Sequence, residues 1–251
     1  MDIFVLGDIH GEFQKLNTFI NRKQPHLILQ CGDFGYWPQF DGQYELGNHK
    51  RNLAGEIIKK RKWYQCSIKN KSTKIYFCDG NHEDHWSLAK IKSAEICPNI
   101  YYMKRGSCLT LPDGRNVLFI GGAESIDKNS RTMGVDWFPE ETIRQADIWN
   151  LPDVKVDIVV SHTCPDEFKS DLKINNYGKF VDPSQKALSY VLKKYRPALW
   201  YFAHFHTYQK GVTRGIQWTA LNHASHTGWF EKLPLLKTLS TCPMPRLPRI
   251  G

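Results

Sequence analysis

Short apolar runs alternate along this chain with apolar positions at helical spacing. Ile3 to Leu6 is a run closed by Gly7-Asp8, and Phe13, Leu16, Phe19 and Ile20 then recur at helical spacing as far as Asn21. His26 to Leu29 and Lys74 to Cys78 are two further strand-like runs, ending at Cys31-Gly32-Asp33 and Asp79-Gly80-Asn81-His82. Between them, Tyr44 to Tyr64 sets Leu46, Leu53, Ile57 and Ile58 among charges and predicts one or two amphipathic helices. Glu83 to Ile91 is compatible with another.

Beyond residue 100 the predicted strands shorten. Tyr101 to Met103, Cys108 to Leu111 and Asn116 to Ile120 read as strands, with Pro112-Asp113-Gly114 as the hairpin turn between the last two. Gly121 to Pro139 is too long for a mere connection, which favours a functional loop. Pro139 to Trp149 predicts a helix with proline first and two early glutamates. Val156 to Val160 is a buried run ending at Ser161-His162, and Asp182 is placed to cap a helix that begins with Pro183. Ala198 to Phe202 ends at His204 and His206, and strands around Tyr208 to Thr213 and Ile216 to Leu221 follow. The expected organisation is one α/β domain over residues 1–232, with a proline-rich C-terminal tail over 233–251.

Composition narrows the class. The chain has 251 residues, 41% hydrophobic and 13% aromatic, and carries a formal net charge of +9. That excludes wholesale disorder, a collagen-like fibre and a bundle of membrane helices. No apolar run approaches the roughly 20 residues of a membrane span, and the start of the chain turns polar by Asp8, so neither a membrane helix nor a signal-peptide core is expected. Seven cysteines without a CxxC pair predict scattered reduced thiols and a cytoplasmic setting rather than a disulfide framework or a zinc ribbon. The positive charge suits an anionic partner: nucleic acid, a phosphate ester or a membrane surface.

The unusual polar residues all fall at the ends of predicted strands. Asp8 and His10 follow the first run, Asp33 the second, Asn81 and His82 the third; His162 follows a later one, and His204 with His206 the last. Parallel strands present their carboxyl ends on one edge, so segments distant in sequence deliver two Asp, one Asn and five His to one rim. His204 and His206, two apart, would share one face of an extended segment, as would Asp8 and His10. Oxygen and imidazole donors without thiolates suit manganese, iron or zinc. The candidates outnumber the ligands of one catalytic ion and suit two ions sharing a carboxylate, the arrangement that clamps the oxygens of a phosphoryl transfer.

Gly7-Asp8-Ile9-His10-Gly11, Gly32-Asp33, Gly80-Asn81-His82-Glu83, Ser161-His162 and His204-Phe205-His206 together resemble the five ordered motifs of the calcineurin-like metallophosphoesterases. The likeness runs in the family's order over about four fifths of the chain. It implies a four-layer αββα fold: two mixed β-sheets packed as a sandwich and flanked by helices. It also implies that Asp8, His10 and His206 hold a first metal, Asn81, His162 and His204 a second, and that Asp33 bridges them. His82 would be the proton donor, a metal-bridging water or hydroxide the nucleophile, and Asn81 and His82 would also face substrate. The implied cofactors are two divalent ions, manganese first and iron or zinc as alternatives. The implied activity is hydrolysis of phosphomonoesters or small phosphodiesters of nucleotide type. A metal-dependent nuclease on DNA or RNA, a protein phosphatase and a non-catalytic binding module stand as alternatives. Nucleic acid is a compatible partner but not a required one, no membrane is implied, and protein partners are left open.

Departures from the pattern sharpen the expectations. The second motif continues as Phe34-Gly35-Tyr36-Trp37-Pro38, without the phosphate-gripping arginine of the protein phosphatase and diadenosine tetraphosphatase branches. Arg131, in the long loop after Gly121-Gly122-Ala123-Glu124-Ser125, is the candidate replacement, because a guanidinium grips phosphate in a bidentate manner. Ala203 stands where the family's last motif usually has glycine, a small-for-small change. His26, His49, His223 and His226 read as ordinary surface or core histidines, although the last two lie close enough in sequence to reach the rim. Asp84 and His85 either line the pocket or start a helix. Lys59-Lys60-Arg61-Lys62 with Trp63 and Tyr64 reads as a solvated helix end before a nucleic-acid patch, and Trp86, Trp149, Trp200 and Trp218 read as core.

Overall fold

The computed structural model describes residues 1–38, 72–174 and 181–235. In chain order the elements are β1 (Ile3–Leu6), α1 (Phe13–Lys23), β2 (Leu27–Gln30), β3 (Lys74–Phe77), α2 (His85–Ala89), β4 (Glu95–Cys97), β5 (Ile100–Tyr102), β6 (Ser107–Thr110), β7 (Asn116–Ile120), α3 (Gln145–Trp149), β8 (Ile158–Ser161), α4 (Pro183–Tyr195), β9 (Leu199–Phe202), β10 (Gln209–Thr213), β11 (Ile216–Ala220) and β12 (Phe230–Lys232). The expected helices between Tyr44 and Tyr64, the basic cluster at Lys59 to Tyr64, and the tail from residue 236 lie outside the described residues.

Two mixed six-stranded sheets result. The first runs β12-β1-β2-β3-β5-β4 and the second β10-β11-β9-β8-β7-β6. Each has four parallel strands in the middle and an antiparallel strand at either edge. The central strands are short, largely apolar runs because both of their faces are covered. Ile3, Val5 and Leu29 of the first sheet pack on Val117, Phe119, Ile158 and Val160 of the second and form the core between them. On the outer face of the first sheet, α1 buries Phe13, Leu16, Phe19 and Ile20. On the outer face of the second, α4 buries Leu188, Val191 and Leu192 against Trp200, Phe202 and Trp218. The layers are therefore helix, sheet, sheet, helix. Each such buried aliphatic or aromatic side chain stabilises the stack by roughly 1.5–3 kcal/mol.

The local signals explain the helix boundaries. Asp182 accepts the Ser184 N–H at 2.8 Å and Pro183 occupies the first turn of α4. Asp84 accepts the Ser87 N–H at 3.0 Å and so starts α2, which settles its role. The helix expected over Pro139 to Trp149 is broken instead into a 3₁₀ turn at Pro139–Glu141 and the short α3. The cause is Arg105, whose guanidinium takes the carbonyls of Glu140, Glu141 and Thr142 at 2.8–2.9 Å and withdraws them from helical bonding. Strands β4 and β12 had no sequence signal, since both are three-residue edge strands that include charged residues.

Two other expectations change. Trp86 and Trp149 are exposed rather than core, while Trp200 and Trp218 are buried. Cys31, Cys78, Cys108 and Cys164 are free thiols. Cys97 is disulfide-bonded, a link that no CxxC-type spacing announces. Among the described residues no helix is long and apolar enough to cross a membrane.

Candidate metal centre

The carboxyl ends of the parallel strands from both sheets meet at one edge of the sandwich. From the first sheet, β1 leads into Asp8 and His10, β2 into Asp33 and β3 into Asn81 and His82; from the second, β8 leads into His162 and β9 into His204 and His206. The two-apart pairs do not lie on extended chain as the spacing suggested. His10, Asp33, His204 and His206 all have φ between 47° and 67°. Non-glycine residues in this left-handed region cost free energy and persist where surrounding structure imposes them, commonly at functional sites. The turns at His204 and His206 send the two rings into different halves of the site. Ala203 keeps an ordinary φ and is buried, so nothing at this position needs glycine.

The candidate ligand atoms converge in two groups. In one, Asp8 Oδ2 is 3.1 Å from His206 Nε2, which is 3.3 Å from His10 Nε2. In the other, Asn81 Oδ1 lies 3.0 Å from both His162 Nε2 and His204 Nδ1, and those nitrogens are 3.2 Å apart. Asp33 Oδ2 belongs to both groups, at 3.4 Å from His10 Nε2 and 3.4 Å from His162 Nε2. Asp8-His10-His206, His10-Asp33-His82 and Asp8-Asp33-His162 each place three ligand atoms within 4.8 Å of one another.

The surroundings hold these atoms in place. His162 Nδ1 donates to the Cys31 carbonyl at 2.8 Å, which aims Nε2 at the cluster. The His82 N–H donates to Asp33 Oδ1 at 2.8 Å, which leaves Oδ2 to the ligand groups. Glu83 accepts the N–H groups of Gly35 at 3.0 Å and Gly80 at 2.6 Å, tying the second and third motifs together. A Cβ on residue 80 would sit 2.1 Å from Asp33 Oδ1, so only glycine fits there. His85 is buried and donates to the Gly80 carbonyl at 3.0 Å, bracing the turn rather than lining the pocket.

Electrostatics fit a cation. Asp8 Oδ2 is buried without a hydrogen bond, His206 Nε2 being near but off hydrogen-bonding geometry. Burial pushes the Asp33 carboxyl up, yet His162, His82 and His10 outweigh it and hold the group well below the usual carboxylate range. Burial alone pushes His162 down, but the facing Asp33 carboxylate raises it to about 10. Burial takes His10 down to about 3 and His204 well below its ordinary value, leaving both as neutral imidazoles suited to ligation. Neutral imidazoles and an ionised carboxylate are the forms in which such side chains bind a divalent cation.

The sequence profile of calcineurin-like phosphoesterases matches residues 1–208. The chain belongs to that family. A CWF19-like protein 1 homolog of Drosophila melanogaster is 29% identical over 129 residues, covering 49% of this phosphoesterase and 21% of the fly protein. The matched region therefore spans about a fifth of that relative's length. TT1561 of Thermus thermophilus has a similar structure, with a TM-score of 0.52 at 14% identity over 89% of this chain and 90% of the other, a likeness of fold alone.

Around the ligand cluster, this phosphoesterase adds side chains from two loops that also follow parallel strands. The loop after β7 brings Arg131 to His82, with Nη2 3.1 Å from Nε2 and Nη1 3.4 Å from Nδ1. Asp127 pairs with the same guanidinium at 2.8 Å. Burial lowers His82 to about 4; Asp33 opposes that and Arg131 reinforces it, so the ring is neutral at rest. The loop after β11 brings His223, which reads from sequence as an ordinary histidine, to the rim. Its ring centre lies 5.0 Å from that of His10 and 5.3 Å from that of His206. The position of His223 just past a parallel strand was the available signal. His226 and His26 are exposed, and His49 lies outside the described residues.

Proposed function

We propose that this chain is a dinuclear-metal phosphoesterase that hydrolyses phosphomonoesters or small phosphodiesters of nucleotide type, with residues 1–232 as one catalytic unit. The observation that carries this reading is the position of Asp33 Oδ2, 3.4 Å from a ligand nitrogen of each group. Asp8, His10 and His206 would hold one cation, Asn81, His162 and His204 the other, and Asp33 both. The oxygen and imidazole donors suit manganese first, with iron or zinc as alternatives. A bound pair supplies water activation and neutralises phosphate charge.

The chain's own residues supply the rest. His82 is fixed through its backbone, the N–H on Asp33 and the carbonyl on Trp37 Nε1 at 2.9 Å, so its ring is held at the mouth of the cluster. A neutral imidazole N–H donates a hydrogen bond to a phosphate oxygen. A phosphate anion beside it raises its proton affinity, which equips it to protonate the leaving oxygen. Arg131 supplies the phosphate grip that the second motif lacks, next to that proton donor. Asn81, expected to face substrate as well, is buried with Oδ1 on His162 and His204 and Nδ2 on Ser125 Oγ, so its proposed role is that of a metal ligand.

Turnover of p-nitrophenyl phosphate and bis-p-nitrophenyl phosphate with added Mn²⁺ tests the class, and a panel of nucleotides then tests the substrate. Absence of hydrolysis of every ester by protein carrying two ions would sink the enzyme reading.

A further inference from the structure

The amide of Asn81 serves as a metal ligand only if its oxygen, and not its nitrogen, faces His162 and His204. The two ends of an amide are nearly equal in shape, so packing alone does not choose between them. The choice is made by hydrogen bonding on the other side. Asn81 Nδ2 lies 3.0 Å from Ser125 Oγ, and Ser125 Oγ lies 2.9 Å from Glu141 Oε2. The opposite oxygen, Glu141 Oε1, accepts the Ser125 N–H at 2.6 Å and the Trp137 Nε1–H at 3.0 Å. Asn81, Ser125 and Glu141 are 3%, 1% and 0% exposed, so this network is shielded from bulk solvent.

A hydroxyl has one proton. Burial raises the Glu141 carboxyl to about 7, so at pH 8 it is an ionised carboxylate that accepts only; the Ser125 proton then goes to Glu141 and the Ser125 lone pairs face Asn81. Asn81 must then present its N–H to Ser125, which turns Oδ1 toward the ligand cluster. The relay is anchored to the loop after β3, which carries Asn81. Gly122 donates to the Asp79 carbonyl at 2.9 Å, and Arg105 links the Asp79 carboxylate at 2.6 Å to the carbonyls of Glu140 and Glu141. A Cβ on residue 121 would lie 2.2 Å from the Asp79 carbonyl oxygen, so the glycine permits this close approach.

We propose that Ser125 and Glu141 are positioning residues that set the amide orientation of Asn81 and thereby complete the second cation site. This inference rests on the dinuclear reading above, and it reaches the site from a loop that none of the five motifs includes.

Glu141→Gln gives a nearly isosteric test with an inverted outcome. The two fixed N–H groups require the Gln oxygen on their side, so the Gln NH₂ faces Ser125 Oγ. The Ser125 proton then turns to Asn81 and favours the flipped amide. Ser125→Ala only unpins the amide. Mn²⁺ titration at pH 8, followed by calorimetry and by the spin-coupled signal of a manganese pair, reads both sites without any substrate. The first ion should bind all three proteins alike. The second should bind about 10–100-fold more weakly in Glu141→Gln, the range found for residues that orient metal ligands, and less weakened in Ser125→Ala. A purely space-filling role predicts the reverse order, because Gln fills the Glu141 site and Ala leaves a gap. Unchanged affinity for the second ion in both variants overturns the relay and leaves the dinuclear reading intact. A wild-type protein that takes up a single ion overturns both. Should Glu141→Gln fail to fold in a circular-dichroism check, Ser125→Ala is compared in the wild-type and Asn81→Asp backgrounds: an orienting role predicts weakened second-ion binding only where the side chain has two unlike ends, and equal weakening in both backgrounds overturns it.

Discussion

Arg131 spans the imidazole of His82, its two terminal nitrogens 3.1 and 3.4 Å from the two ring nitrogens. A guanidinium in that position disfavours a proton on His82, and in the proposed reading its terminal N–H groups, which rest on Asp127 and the Asp136 carbonyl, turn to an incoming phosphate. Arg131→Ala should therefore have two effects. Specific activity, as kcat/KM on p-nitrophenyl phosphate, should fall roughly 10–100-fold, the worth of a charge-assisted hydrogen bond. The His82 titration followed by NMR in the free protein should move to higher pH. An unchanged kcat/KM removes Arg131 from the substrate site.

His82 offers a ligand-type nitrogen within 4.8 Å of those of His10 and Asp33, so its proposed role as proton donor rather than metal ligand needs its own test. Its side chain contacts Arg131, while its backbone N–H contacts Asp33. His82→Ala should lower kcat by about 10²–10⁴, the usual contribution of a general acid, while metal content by elemental analysis stays at the wild-type level. Loss of an ion in this variant would reassign His82 as a ligand.

Much of this site was legible in the sequence, for a definite reason. Asp8, Asp33, Asn81, His162 and His204 each follow a short apolar run, and parallel strands of such runs must present their carboxyl ends together. The two six-stranded sheets follow the same alternation of runs and helical spacing. What escaped is non-local. Arg105 breaks the helix expected over Pro139 to Trp149 by binding carbonyls that lie at least 35 residues away. His223 reaches the rim because β11 is parallel to β9, a pairing that no local spacing encodes. Ser125 stood in a quoted glycine-rich string, but its partner Glu141 is 16 residues away and only folding brings them together. The left-handed backbone at His204 and His206 likewise comes from tertiary contacts, which is why the extended-segment expectation failed there.

Cations should stabilise the fold strongly, since Asp8 Oδ2 is buried without a hydrogen bond and Asp33 faces three histidines. A ligand at 100 times its Kd adds about 2.7 kcal/mol, and a chain of this size shifts Tm by about 2–4 °C per kcal/mol. Removing metal with a chelator should lower Tm by about 5–10 °C for one such ion, and Mn²⁺ should restore it. Asp33→Asn should abolish most of that shift, because the one oxygen shared by both groups loses its charge. A Tm indifferent to chelator and Mn²⁺ would contradict occupancy of this cluster.

Glu141 makes the stability of the metal-free protein depend on pH in a predictable direction. Burial raises its carboxyl to about 7 from an ordinary 4.5, against the hydrogen bonds from Ser125 and Trp137 that favour the anion. Between those values the folded state holds its proton more tightly than the unfolded chain, so raising the pH favours unfolding. The contribution is complete below about pH 4.5, falls across the interval and is gone above about 7. Its full size is roughly 3 kcal/mol. Glu141→Gln cannot lose that proton, so its urea midpoint in chelator should gain on the wild type as pH rises from about 5 to about 8. A constant difference between the two proteins over that range would mean that Glu141 is already ionised at the acid end, held as an anion by its three donors.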